Sequence, residues 1–217
     1  MQHPFLSIAL LLATIGCLTN TNFIDTQPQM TLEEQLAALE AIGIKLNEAA
    51  TIDDLLYSFD RSEYEKQPFD ALLFMLGSEI ERRPWGRNFS SVAWNFDAEC
   101  IVEDGDYVRI IKRLAELSGR SDELTDVADT VDLEAGVATL RYTLDGKTRS
   151  LTPTVNDDWA DADTVNVILS DLESDGRYFY GIDNGQSTIL YYLDEATASE
   201  LRALTADSVV RMVPPKG

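Results

Sequence analysis

Two turn signals constrain this chain more than anything else in it: Asp145-Gly146 and Asp183-Asn184-Gly185. Each lies between two runs rich in β-branched and aromatic residues, 137–144 and 147–155 around the first, 178–182 and 188–193 around the second. A tight turn of this composition closes an antiparallel pair, because Asp, Asn and Gly tolerate the left-handed backbone it needs. Between and beside the hairpins the apolar period changes. Tyr107, Ile110, Ile111, Leu114 and Leu117 follow Asp106 at helical spacing, and Gly119 stops them. Val165, Ile168, Leu169 and Leu172 repeat that pattern across 163–172, and Asp194 is placed to cap a helix through Leu201 and Leu204. Residues 92–101 alternate as a strand, and 209–213 add a short last one. Helix, hairpin, helix, hairpin, helix predicts an α+β fold with an antiparallel sheet and helices on one face.

The part before residue 90 reads as helical. Thr31 and Glu34 form a capping box ahead of Leu32, Leu36, Leu39 and Ile42, with Gly43 as the stop. Thr51 caps a second helix with Asp53 and Asp54 in its first turn and Leu55, Leu56 and Phe59 inward. Ser62 and Glu65 repeat the capping pattern, and Pro68 suits the first turn of a helix through Leu76. The expected organisation is 1–29 as a signal peptide, a lipoprotein leader or an early start, 30–90 as a helical subdomain, and 91–217 as an α+β subdomain packed with it in one globular unit.

Charge restricts the partners. Asp and Glu number 38 against 17 Lys and Arg, a formal net charge of -21. A phosphate polyanion would be repelled, so nucleic acid is not an expected partner. A basic protein surface is. Arg82, Arg83 and Arg87 form the one basic cluster, beside Trp85. Trp85 and Arg87 are therefore candidate contacts, against the alternative of a structural ion pair within an acidic protein. Tyr178, Phe179, Tyr180, Tyr191 and Tyr192 lie on paired strands. Consecutive aromatics leave some facing outward, which makes Tyr180 and Tyr191 further candidates.

The histidine inventory excludes much chemistry. The single histidine is His3, in the leader. A body that starts after it carries no Ser-His-Asp or Cys-His set and lacks the ligands of a usual catalytic zinc. No P-loop, dinucleotide fingerprint or nucleophile elbow is present. Carboxylate chemistry survives, since a glycosidase needs two facing acids and the chain has many. No catalytic residue, cofactor or metal ligand is assigned. The acids closest to a cation site are Asp157, Asp158, Asp161 and Asp163, which follow Asn156 ahead of a helix. Crowded oxygens suit calcium or magnesium, but the EF-hand Gly and closing Glu are missing, and the same acids serve as a helix cap. Glu103, Asp104 and Asp106 around Gly105 read as a turn and an N-cap. Cys100 reads as a buried, inert thiol.

Residues 5–15 are almost wholly apolar and too few to span a bilayer, which matches the apolar region of a secretory signal. Thr14-Ile15-Gly16-Cys17 looks like a lipoprotein cleavage box with Cys17 as the lipidated residue, although the usual Leu and early Lys or Arg are missing. Export to the periplasm or a lipid anchor in the envelope follows from that reading. Translation from Met30 would instead give a cytoplasmic protein.

Several segments together resemble an uncharacterised bacterial protein family, a domain of unknown function. These are 53–59, Glu63-Tyr64-Glu65 with Pro68-Phe69, 76–79, and 96–101 ahead of Gly105-Asp106-Tyr107. The likeness spans roughly residues 30–200. It implies a bacterial source and a shared fold beginning near Met30, and it carries no functional residue across. The function expected is non-enzymatic protein binding, in concrete form an immunity-type protein that neutralises a basic toxin. The alternatives are a carboxylate- or cation-dependent hydrolase of the cell envelope and a structural envelope lipoprotein.

Overall fold

A computed structural model describes residues 30–185, 187–206 and 208–214. Cys17, the candidate lipidation site, lies outside these residues. The fold is α+β: helices first, then antiparallel strands interleaved with helices. Helix α1 (Leu32–Ala41) starts on the expected capping box, in which the Thr31 hydroxyl accepts from Glu34 N and the Glu34 carboxylate accepts from Thr31 N. Helix α2 (Ile52–Ser58) repeats the device with Thr51 and Asp54. Helices α3 (Arg61–Lys66) and α4 (Asp70–Leu76) follow, with Gly77 ending α4. Three local expectations fail. Ser62 lies inside α3, whose N-cap Asp60 makes no side-chain cap bond. Pro68 stands two residues before α4, entered through Phe69 at φ 74°. Phe59 is exposed rather than buried, its ring edge-on to Tyr64.

The strands form two sheets. Strand β1 (Ala93–Asp97), β5 (Arg177–Asn184), β6 (Ser187–Asp194) and β7 (Val209–Arg211) make one, in the order β1-β6-β5-β7. Strands β2 (Leu124–Asp132), β3 (Val137–Leu144) and β4 (Lys147–Leu151) make the other. The β3–β4 turn uses Asp145 at φ 48° and Gly146 at φ 70°, the positive pair that a two-residue hairpin demands. The β5–β6 strands run further than their apolar residues do, and Asn184 pairs directly with Ser187.

Helices α5 (Asp106–Ser118), α6 (Ala162–Leu172) and α7 (Glu195–Leu204) complete the fold. In the three-stranded sheet the β3 residues Ala138, Leu140, Tyr142 and Leu144 turn one face onto α5 and α6, while β4 is exposed along most of its length. The four-stranded sheet is covered on both faces. Tyr180, Ile189, Tyr191 and Leu193 join the core of α1–α4 and α7. Phe179, Leu190 and Tyr192 face the opposite way, into the core of α5, α6 and β3. This double burial explains why β6 reads Ile-Leu-Tyr-Tyr-Leu without alternation. It also removes the candidate contacts Tyr180 and Tyr191 from the surface: both are 0% exposed.

Candidate functional site

Two segments rich in acids, 97–106 and 156–163, are distant in sequence and adjacent in the fold. Ile101 N donates to Asp158 O at 2.9 Å and Ala160 N donates to Ala98 O at 2.7 Å. Glu99 and Trp159 form a β-bridge between them. The joined segments carry Asp97, Glu99, Glu103, Asp104 and Asp157, all exposed. Asp104 extends them to the end of β2, because its carboxylate accepts from Val131 N at 2.6 Å. Asp132 and Glu134 border the same depression as Val102 and Asp104. Two apolar side chains stand out among these acids: Val102 at 61% exposure and Trp159 at 38%.

The four loop acids do not converge as a cation cage. Asp161 caps α6, accepting from Thr164 N at 3.0 Å and from the Thr164 hydroxyl at 2.6 Å. Asp163 lies in the first turn of α6, where a carboxylate complements the helix dipole. Asp157 adopts φ 55°, and Asp158 contributes its carbonyl to Ile101. Among the described residues no group of three His, Cys, Asp or Glu is placed to hold a metal ion.

Asp106 is the first helical residue of α5, not its N-cap, which is Gly105. Its carboxylate turns back to accept from Val102 N at 2.6 Å and Glu103 N at 2.9 Å, and it pairs with Arg109. The cap comes from elsewhere. Asp129 on β2 accepts from Gly105 N at 2.6 Å and Val108 N at 3.1 Å. One carboxylate thus satisfies two N–H groups at the positive end of α5 and ties the two elements together.

Beside the acidic surface lies a cleft of about 570 Å³. Trp94, Asn95 and Asp97 of β1 form one wall, Arg109, Ile110 and Arg113 of α5 another, and Phe74, Gly77 and Ser78 the third. Cys100 also lines it. The thiol is half-buried rather than fully buried, and burial followed by the Asp106 charge pushes it up to about 11, so it stays protonated and inert near neutrality. Asn95 donates to Phe74 O and to the Ser78 hydroxyl, both at 2.8 Å. Gly77 permits that approach: a Cβ there would lie 2.5 Å from Asn95 Oδ1 and 2.7 Å from Asn95 N. Arg113 Nη1 donates to Glu116 at 2.9 Å, whereas its buried Nη2 has no acceptor in the protein.

The third wall continues into a loop. Phe89 N donates to Ser78 O and Ile80 N to Arg87 O, so residues 78–89 form a closed excursion. Arg87 holds it. Its guanidinium donates to the carbonyls of Pro84 at 2.7 Å and Ala49 at 2.6 Å, with longer bonds to those of Arg82 and Arg83. Arg82 and Arg87 both pair with Asp54, which is 3% exposed. Burial raises the Asp54 carboxyl, but the Thr51 hydroxyl and N–H and the two guanidiniums outweigh it and hold it low. The structural ion pair expected as the alternative for this basic cluster is present, and Arg87 ties the loop down. At its tip Trp85 is 66% exposed.

Sequence reasoning passed over Trp159 and Val102. Trp159 was legible in Asp157-Asp158-Trp159-Ala160-Asp161, a large aromatic inside an acid run. Among the described residues no helix is long and apolar enough to cross a membrane. No protein-family model, no curated protein and no solved structure matches the chain.

Proposed function

We propose that this is a non-enzymatic binding domain that captures a basic protein on the surface formed by 97–106 and 156–163. One observation carries the reading: two acidic segments joined by backbone hydrogen bonds surround exposed Trp159 and Val102. An aromatic anchor in a charged surround has the composition of an interface centre and rim. Such a field steers a basic partner and accelerates encounter by about 10-fold or more at low salt. An immunity-type role against a basic toxin is the concrete form of this reading. The hydrolase alternative gains no specific support, because Asp106 and Asp97, the cleft acids nearest this surface, accept from backbone N–H groups.

The test is capture from the source cells with the product of the neighbouring gene assayed directly. Wild type and a variant carrying Glu103→Lys, Asp104→Lys and Asp157→Lys are compared at low and high salt. A basic protein retained by wild type at low salt, and lost on charge reversal, supports the proposal. Equal retention by both proteins, or no retention at any salt, sinks it.

A further inference from the structure

We infer that the cleft between β1, α4 and α5 binds a free α-amino acid with an apolar side chain. The inference is independent of the acidic surface and its protein partner. A volume of about 570 Å³ is ample for a small ligand and lies within the range of known small-molecule sites. The walls are mostly apolar, with Phe74, Trp94 and Ile110 placed to bury a hydrocarbon or aromatic body.

The polar groups define the other end of the ligand. Two cations line the cleft, Arg109 and Arg113, and Arg113 is the one whose guanidinium keeps a buried donor without an acceptor. Arg109 is paired with Asp106, while Arg113 Nη2 is closed off from solvent with no protein acceptor. A buried N–H of this kind is costly. A turn of the guanidinium edge into the cleft relieves that cost when a carboxylate arrives there, and a planar guanidinium suits a carboxylate in both charge and shape. A simple anion would nevertheless meet Glu79 and Asp97, both exposed on the cleft lining. A zwitterion resolves the conflict: its carboxylate goes to Arg113, its ammonium goes to the acidic side, and its side chain lies against Trp94.

The test is titration of the full chain with phenylalanine, 3-phenylpropionate and phenethylamine, followed by amide and side-chain NMR shifts. The expected result is saturable shifts at Trp94, Asn95 and Arg113 with phenylalanine. Each of the other two probes, which lacks one charged group, should bind about tenfold more weakly or worse. Arg113→Gln should bind phenylalanine no better than it binds phenethylamine. If that variant does not fold, Arg113→Lys keeps the charge, loses the second N–H and should also bind more weakly. Absence of shifts at these residues, equal binding of all three probes, or wild-type affinity in a folded Arg113 variant would overturn the inference.

Discussion

Gly77 shows how much one missing methyl group decides. Its φ of -80° is open to any residue, so backbone freedom is not the reason for glycine here. The reason is Asn95, whose backbone N and side-chain oxygen lie where a Cβ would go, while Asn95 N donates to Gly77 O at 2.8 Å. Gly77→Ala should therefore lose about 1–3 kcal/mol of stability despite the better helix propensity of Ala, because rigid backbone blocks relaxation. Urea unfolding at constant m-value checks it; an unchanged midpoint would show that β1 can shift. Gln35 makes the same point with hydrogen bonds. It is 0% exposed, donates to Met30 O and Tyr64 O, and accepts from Phe69 N. One amide thereby links α1 to α3 and to the entry of α4. A polar residue in an apolar stripe reads as an error in the pattern, and two of its three partners, Tyr64 and Phe69, lie 29 and 34 positions away in sequence.

At the scale of elements, local chemistry was legible and cross-element chemistry was not. The caps at Thr31, Thr51 and Asp194 involve partners within three residues, so spacing alone revealed them, whereas the capping residue of α6 stood as one of several loop acids until the fold singled out Asp161. Strand β2 escaped because Asp126, Asp129 and Asp132 make it a poor strand by propensity. It exists because β3 pairs with it and because Asp129 caps α5 from a distance of 21 and more positions. Asp129→Ala leaves two helix N–H groups unsatisfied and should cost about 1–2 kcal/mol. Faster exchange of the Gly105 and Val108 amides, with β3–β4 amides unaffected, would identify the lost cap; unchanged exchange at both would show that solvent replaces the carboxylate freely. The loop at 78–89 depends likewise on one residue. Arg87→Ala removes its carbonyl contacts and one of two cations on nearly buried Asp54, and a loss of about 2–3 kcal/mol is expected. Trp85 should remain exposed while the amides of Ile80 and Phe89 exchange faster. Protection at wild-type levels would show that the backbone ladder alone sustains the loop.

For the whole molecule, the aromatic core fixes how the protein responds to alkali. Tyr64, Tyr142, Tyr180 and Tyr191 are each 0% exposed. Their hydroxyls donate to Leu55 O, Asp171, Glu195 and Leu73 O respectively. Burial pushes Tyr64 up to about 12 from its ordinary value of 10.0. Burial raises the other three as well, reinforced at Tyr142 and Tyr180 by the carboxylate that each hydroxyl meets. The unfolded chain therefore gives up these protons first. Above pH 10 it binds fewer protons than the native state, so stability falls as pH rises, by about 1.4 kcal/mol per tyrosine per pH unit. Four such groups lose about 5 kcal/mol per unit, comparable with the whole stability of a typical domain. A net charge of -21 acts in the same direction, since each new tyrosinate adds to an existing repulsion. The expected outcome is cooperative unfolding between pH 10 and about 12, with tyrosine ionisation coincident with loss of secondary structure. Tyr191→Phe keeps the core volume and removes one of these ionisations, so it should lessen the fall in stability and move the alkaline midpoint up. Absorbance of tyrosinate and circular dichroism, followed together across this range at fixed ionic strength, decide the matter. Ionisation of these tyrosines in a chain that remains folded would mean that water reaches them inside both cores, the one that holds Tyr64, Tyr180 and Tyr191 and the one that holds Tyr142, and would overturn the prediction.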